Sequence, residues 1–296
     1  MKFYCIVDDL DAIHNPEAFD FLRSACEARG ISFVPLVANT FDYSVDTATY
    51  LEENSILYRL SISKRSRLLE GLVARADTAT LLVPTSRAAN SSDWGSTIAF
   101  MHAGLPIIPT ILGVSTLQKD ALPAYAEKLG GFPIVLKSSG GSHGNSVIRA
   151  DSIESLRSII GFVSNEKSAQ FVLRKYIHNA QHIRCVVVGK TVVDAIKYLP
   201  QPGDFRTNTS ATPQVESYAR TPETEQVFAL AEKAVALRGY ALGGVDILID
   251  EDGTAMIAEV NAPCNFGRNQ MNTGVDIAGK IVDYLLARRE QIMTLA

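Results

Sequence analysis

Cysteine is scarce in this 296-residue chain, and none of it is clustered: Cys5, Cys26, Cys185 and Cys264 lie far apart, with no CxxC pair among them. A chain this long needs no disulfide staples, so reduced thiols in a cytoplasmic protein are expected. An excess of one charge is also missing. There are 28 Lys and Arg against 32 Asp and Glu, a net charge of -4. A dedicated nucleic-acid binder carries a broad basic field, so nucleic acid is not an expected partner. Long apolar runs are absent, which argues against a membrane span. The opening run Lys2–Val7 meets Asp8, Asp9 and Asp11 at once, too soon for the apolar core of a signal peptide. There is no internal repeat and no low-complexity tract. What remains is 47% apolar and 20% charged, an ordinary soluble globular balance.

The order of elements points to an α/β protein, with an α+β pattern in its later part. Phe3–Val7 reads as a buried strand. Asn15-Pro16-Glu17 reads as a helix start, with proline in the first turn. Phe19, Leu22, Ala25 and Cys26 keep helical spacing, and Gly30 is a natural stop. A second strand at Ile31–Val37, a helix around Leu68, Leu69 and Leu72 and a strand at Thr80–Val83 complete a βα alternation. That alternation predicts a small layered domain with a largely parallel sheet. A helical stretch from Ser96 to His102 ends at Gly104-Leu105-Pro106. Strands are then expected at Phe132–Lys137, Ser146–Arg149 and Gln170–Leu173, with a helix near Ile153–Phe162. Four more follow at Ile183–Val188, Thr191–Ile196, Gly243–Ile249 and Ala255–Val260. Asp250–Gly253 has the composition of a hairpin turn joining the last two. The final helix is expected after Thr273, with Thr273 as its N-cap and Asp276 three residues on.

Several constellations in this frame carry chemistry. Gly140-Gly141-Ser142-His143-Gly144-Asn145-Ser146 follows the strand ending in Lys137. Such a turn leaves backbone N–H groups for a polyphosphate, and Lys137 adds a point charge. It is neither a Walker loop nor a dinucleotide fingerprint, and a simple hairpin loop is an equally good reading. Glu259 and Asn261 stand two apart on one strand, so they share a face. The hairpin brings Asp246 opposite Glu259. Two carboxylates and an amide oxygen suit a hard cation such as Mg²⁺, and facing carboxylates without a cation repel. Arg206, in the loop Gly203–Asn208, suits a transferring phosphoryl group, although a surface arginine is the plainer reading. Asn272–Asp276 reads more simply as capping than as an anion site. His143 and Cys264 have no evident catalytic partner.

Taken in order, these motifs resemble the ATP-grasp superfamily, and its RimK-type carboxylate–amine ligases in particular. The residues that carry the resemblance are Phe132–Lys137, the Gly140–Ser146 loop, Tyr176-Ile177 with Ile183–Gly189, Gly203–Asn208, Gly244–Leu248, Glu259–Ala262 and Thr273–Lys280. The resemblance implies an ATP-grasp fold behind an N-terminal Rossmann-like domain. It divides the chain into an N-terminal domain over 1–110, a lid subdomain over 111–175 and a catalytic subdomain over 176–296. It also implies roles. Lys137 and the loop residues Gly140, Gly141, Ser142 and Gly144 hold ATP phosphates, and Lys175, Tyr176 and Ile177 form the adenine hinge. Asp246, Glu259 and Asn261 bind magnesium, with Mn²⁺ as a substitute. Arg206, Arg184 and Asn208 stabilise an acyl phosphate.

The chain departs from the family pattern at three places. No lysine stands in Ser91–Gly95, which leaves that phosphate contact to Arg87 or to nothing. The hinge reads Arg174-Lys175 where glutamine and an acid are common. Ala262-Pro263-Cys264-Asn265 replaces Ser-Pro-Gly after Asn261, which implies an altered acceptor pocket. The implied reaction is ATP-dependent amide formation between a small-molecule or peptide carboxylate and an amine, in a homo-oligomer. Intramolecular cyclisation, modification of a precursor peptide, and a nucleotide-binding module without catalysis are the alternatives.

Overall fold

A computed structural model describes residues 1–295 apart from 14, 48, 76, 82–92, 116–119, 139–146, 164–169, 201–202 and 208–212. The first sheet is wholly parallel, in the order β2-β1-β3-β4. Its strands are β1 (Lys2–Val7), β2 (Ser32–Val37), β3 (Ile56–Arg59) and β4 (Ala79–Thr80). Helix α1 (Pro16–Glu27) connects the first two, with Ala18, Phe19, Leu22, Ala25 and Cys26 buried along one stripe. Gly30 then turns the chain at φ +64°, where a side chain is disfavoured. Helices α2 (Lys64–Val73) and α3 (Asp93–His102) complete this part. The expected strand at Thr80–Val83 is described only as Ala79–Thr80, and 82–83 lie outside the described residues.

The second sheet is antiparallel, in the order β5-β8-β6-β7. It comprises β5 (Thr110–Ser115), β6 (Ile134–Ser138), β7 (Val147–Ala150) and β8 (Gln170–Lys175). Helices α4 (Leu122–Lys128) and α5 (Ile153–Val163) cover one face through Leu122, Ala126, Leu156 and Ile160.

The third sheet is also antiparallel: β11 (Val215–Ser217), β10 (Thr191–Tyr198), β9 (Gln181–Val188), β12 (Leu242–Ile249) and β13 (Ala255–Asn261). The period of two sorts β9 into two faces. Ile183, Cys185 and Val187 pack under helix α6 (Glu225–Arg238), against Phe228, Ala231 and Val235. His182, Arg184, Val186 and Val188 point the other way. On that second face, Val186 and Val188 enter the core that contains Phe3 and Leu22 of the first unit. His182 and Arg184 form a buried polar patch at the opposite end. The chain closes with α7 (Gly267–Thr273) and α8 (Ile277–Leu295).

The expected cap of the last helix moves. Thr273 is the end of α7, and Gly274 follows at φ +74°. The carboxylate of Asp276 accepts the Gly279 N–H at 2.8 Å. Asp276 therefore caps α8, because the glycine inserts a left-handed turn between the two helices.

Candidate active site

The β12–β13 hairpin forms as its turn chemistry predicts. Gly253 turns at φ +82°, and its N–H meets the Asp250 carbonyl at 3.0 Å. The pairing sets Asp246 opposite Glu259 and Gly244 opposite Asn261. Across the other edge of β12, Asp246 is in register with Arg184 of β9. One strand pairing on each side thus gathers Arg184, Asp246, Glu259 and Asn261 on one face.

The two carboxylates do not oppose each other as bare charges. Arg184 Nη1 donates to Asp246 Oδ2 at 2.6 Å. Lys137 Nζ, from β6 of the second sheet, donates to Glu259 Oε2 at 3.0 Å. Each acid has its own basic partner, because long side chains from neighbouring strands reach the charges that the hairpin brings together. The Lys137–Glu259 pair also crosses from one antiparallel sheet to the other. Arg174 of β8 makes a second crossing, donating from Nη1 to the Ala258 carbonyl at 2.7 Å.

Asp246 is the buried member, with 7% of its side chain exposed, while Glu259 is 31% exposed. Burial pushes the Asp246 carboxyl up, but the Arg184 guanidinium and the His182 ring overcome it and hold it below the ordinary carboxylate value. Asp246 is therefore ionised at neutral pH. Its Oδ1 meets His182 Nε2 at 3.1 Å, and Asn261 Nδ2 reaches Oδ2 at 3.5 Å.

The loop with Arg206 lies beside this patch. Asp204 holds Arg206 by its backbone N–H at 2.9 Å, by Nε at 3.0 Å and by Nη2 at 3.0 Å. Phe205 lies 6.1 Å from Tyr176, ring to ring, and the Arg149 guanidinium stands over both rings at 5.9 and 5.4 Å. The segment Lys175-Tyr176-Ile177 and the Arg206 loop are thus neighbours. Gly140, Gly141, Ser142, Gly144 and Asn208, together with His143 and Arg87, lie outside the described residues.

Two participants escaped the sequence reading. His182 stands two residues before Arg184, and the period of two alone places it on the polar face. Gly244 lies beneath the Arg184 guanidinium: a Cβ there would stand 2.7 Å from Arg184 Nη2 and 2.7 Å from the Cys264 Cβ. Cys264 itself is buried, and burial pushes its thiol up to about 11, so it is not a ready nucleophile.

The donor set can be tested for a metal. Among the described residues there is no group of three or more His, Cys, Asp or Glu that could hold one alone. Mg²⁺ takes one or two carboxylates and draws its other ligands from phosphates and water. Half-exposed Glu259, the Asn261 amide oxygen and the ionised Asp246 fit that requirement.

A parallel α/β unit, a small antiparallel sheet and a larger antiparallel sheet, with charged residues where the last two meet, define an ATP-grasp architecture. Residues 101–285 match the RimK-like ATP-grasp domain, and the chain belongs to that family. A relative named probable alpha-L-glutamate ligase, from Picosynechococcus sp., is 34% identical over 184 residues, 62% of this chain and 58% of the relative. The chain thus spans little more than half the length of the curated relatives it matches. Among solved structures, the ATP-grasp ligase PsnB complexed with minimal precursor superposes with TM-score 0.75 at 18% identity, over 97% of this chain and 100% of that one. D-alanine–D-alanine ligase from Bacillus anthracis complexed with ATP gives TM-score 0.73 at 14% identity, over 100% and 98%. No helix among the described residues is long and apolar enough to cross a membrane.

Proposed function

We propose that the chain is an ATP-dependent carboxylate–amine ligase, working through an acyl phosphate on an amino-acid or peptide-like substrate. The observation that carries this reading is two neighbouring ion pairs, Arg184–Asp246 within the third sheet and Lys137–Glu259 between the second and the third. They set two basic side chains beside the two paired carboxylates of the β12–β13 hairpin, and family membership supplies the nucleotide.

In this reading the substrate carboxylate oxygen attacks the γ-phosphorus of ATP. The bond from that phosphorus to the β-phosphate oxygen breaks, and ADP leaves. The amine then attacks the acyl carbon, loses a proton and expels phosphate, leaving an amide. Mg²⁺ held by Asp246, Glu259 and Asn261, or Mn²⁺ in its place, would offset phosphate charge and polarise the γ-phosphoryl group. Lys137 turns from Glu259 to the phosphates as a point charge. Arg184, fixed by Asp246, and Arg206, fixed by Asp204, supply preorganised positive charge to the transferring group and the acyl phosphate. Lys175, Tyr176 and Ile177 hold the base, and Asn208 and the glycine-rich loop at Gly140–Gly144 complete the nucleotide cradle. No protein nucleophile is required. The division at 110 and 175 and a homo-oligomeric state belong to the same proposal. Each sheet falls within one of the three parts except that β5 begins at Thr110, one residue before the first division, and light scattering tests the oligomer.

The test is ADP release by purified protein with Mg-ATP against pools of amino acids, small carboxylates, peptides and amines. Release that needs both a carboxylate and an amine is the expected result. Release with one compound alone indicates cyclisation instead. Tight ATP binding with no release in any pool would replace the ligase by a nucleotide-binding module.

A further inference from the structure

His182 occupies a costly position. It lies mid-sheet on β9, with 9% of its side chain exposed, between Tyr198 of β10 and Leu248 of β12 in register. A polar ring there is tolerated only if its nitrogens are satisfied. Both are. Nε2 lies 3.1 Å from Asp246 Oδ1, and Nδ1 lies 2.5 Å from Thr207 Oγ1. The ring also packs on Tyr198, with centroids 4.7 Å apart. The Thr207 hydroxyl can donate or accept, so the ring bridges it to the Asp246 carboxylate whichever ring nitrogen carries the hydrogen.

Thr207 directly follows Arg206. The arginine is therefore bracketed by Asp204, which grips its backbone and guanidinium, and by Thr207, which is tied through the imidazole to Asp246. The same carboxylate fixes Arg184 directly. One buried acid thus anchors both arginines, one by contact and the other through a ring and a hydroxyl.

We propose that His182 is a positioning residue: it docks the Arg206 loop onto the Asp246 carboxylate, so that Arg184 and Arg206 face the phosphoryl group in fixed relation. The role rests on the ligase reading for its chemistry but not for its geometry. Displacing a charge by about 1 Å costs on the order of a hundredfold in rate. A loop freed from His182 therefore loses turnover while nucleotide binding at Lys137 and the hinge persists.

The test uses the full chain and the variants His182→Phe, Thr207→Val and Thr207→Ser. Phenylalanine keeps the ring against Tyr198 and removes both hydrogen bonds. Valine removes the hydroxyl at nearly constant shape, and serine retains it. Expected are a fall in kcat of roughly ten- to a hundredfold for H182F and T207V, with KM for ATP and the affinity for ADP changed by less than about twofold, near wild-type kcat for T207S, and a double variant no worse than H182F alone. Wild-type kcat in H182F or T207V, multiplying losses in the double variant, or a loss confined to KM would overturn the proposal. Amide hydrogen exchange over 203–207 reads the geometry without turnover. Faster exchange there in both H182F and T207V is expected, and unchanged exchange in both overturns the docking role. If wild-type protein releases no ADP in any pool, the ligase reading fails while the exchange result still decides whether His182 docks the loop. T207V carries the same test should H182F fail to fold.

Discussion

Replacing Glu259 by alanine separates chemistry from fold. The side chain is partly exposed and pairs with Lys137 of the facing sheet, so its removal leaves the hairpin backbone intact. A kcat loss of at least about 10²–10³-fold is expected with an unchanged circular dichroism spectrum. Near-wild-type turnover would remove Glu259 from the metal set. Gly244→Ala acts oppositely, through packing. The new methyl meets Arg184 Nη2 and the Cys264 Cβ, and Asp246 restrains the guanidinium through its other amino group, Nη1. A loss of about 1–3 kcal/mol in denaturant stability is expected, with reduced kcat. A variant as stable and active as wild type would show that the guanidinium yields freely. Asp194 offers a pH test away from the site. Burial raises its carboxyl above the ordinary value, against the hydrogen bonds of Asn269, Thr273 and the Ala195 backbone. A folded state that holds a proton more tightly than the unfolded chain is favoured at low pH. That contribution is fully present below the unfolded value of about 3.9 and is lost as pH rises through the raised folded value. Asp194→Asn stays neutral and still accepts from Asn269. It is expected to be more stable than wild type at pH 7, with the gap closing as pH falls toward about 4. A gap that does not narrow would rule out the desolvation cost.

At the scale of elements, Asp276→Ala should cost about 1 kcal/mol, because it removes the side chain that takes the Gly279 N–H at the start of α8. An unchanged melting curve would mean the helix end is held by packing alone. The sequence suggested a neighbouring residue for this cap, and the reason is physical: Thr273 and Asp276 both have capping chemistry, and only the left-handed turn at Gly274 separates α7 from α8. Elements with a clear local pattern were legible: the apolar run of β9, although it is buried on both faces, the one-sided stripe on α1 and the turn at Gly253. Helix α6 was not read: Val227, Phe228, Leu230, Ala231, Ala234 and Val235 are buried along one side, but apolar Ala236 and Leu237 on the exposed side blur the helical period. The register of Asp246 with Glu259 was readable from the hairpin between them. The partner of each acid was not. Lys137 and Glu259 are 122 residues apart and meet only because two sheets face each other. Thr207 and His182 join loop to strand in the same non-local way.

At the scale of the whole molecule, the first 110 residues close their own core on one face of the parallel sheet, through Tyr4, Ile6, Leu57, Leu69 and Val73, but not on the other. Phe3, Leu22, Ile56 and Tyr58 share one apolar cluster with Val186 of β9, Phe266 and the α8 residues Ile277, Ile281, Val282 and Leu285. Those four α8 side chains are wholly buried. Each is worth about 1.5–3 kcal/mol in apolar burial, so together they contribute roughly 6–12 kcal/mol. That is comparable with the entire net stability of a typical domain, about 5–15 kcal/mol. A chain cut after residue 276 should therefore lose the parallel sheet as well as the helix. The milder variant Ile281→Ala should cost about 2–5 kcal/mol. Because the cluster links the first sheet to the third, that loss should appear equally by near-ultraviolet signals and by proteolysis within residues 1–80, as one transition. If residues 1–80 kept wild-type protease protection in I281A while α8 came away, the N-terminal unit would be an independent domain. A single coincident transition instead means that the unit against which the site is built and the helix that ends the chain fold together.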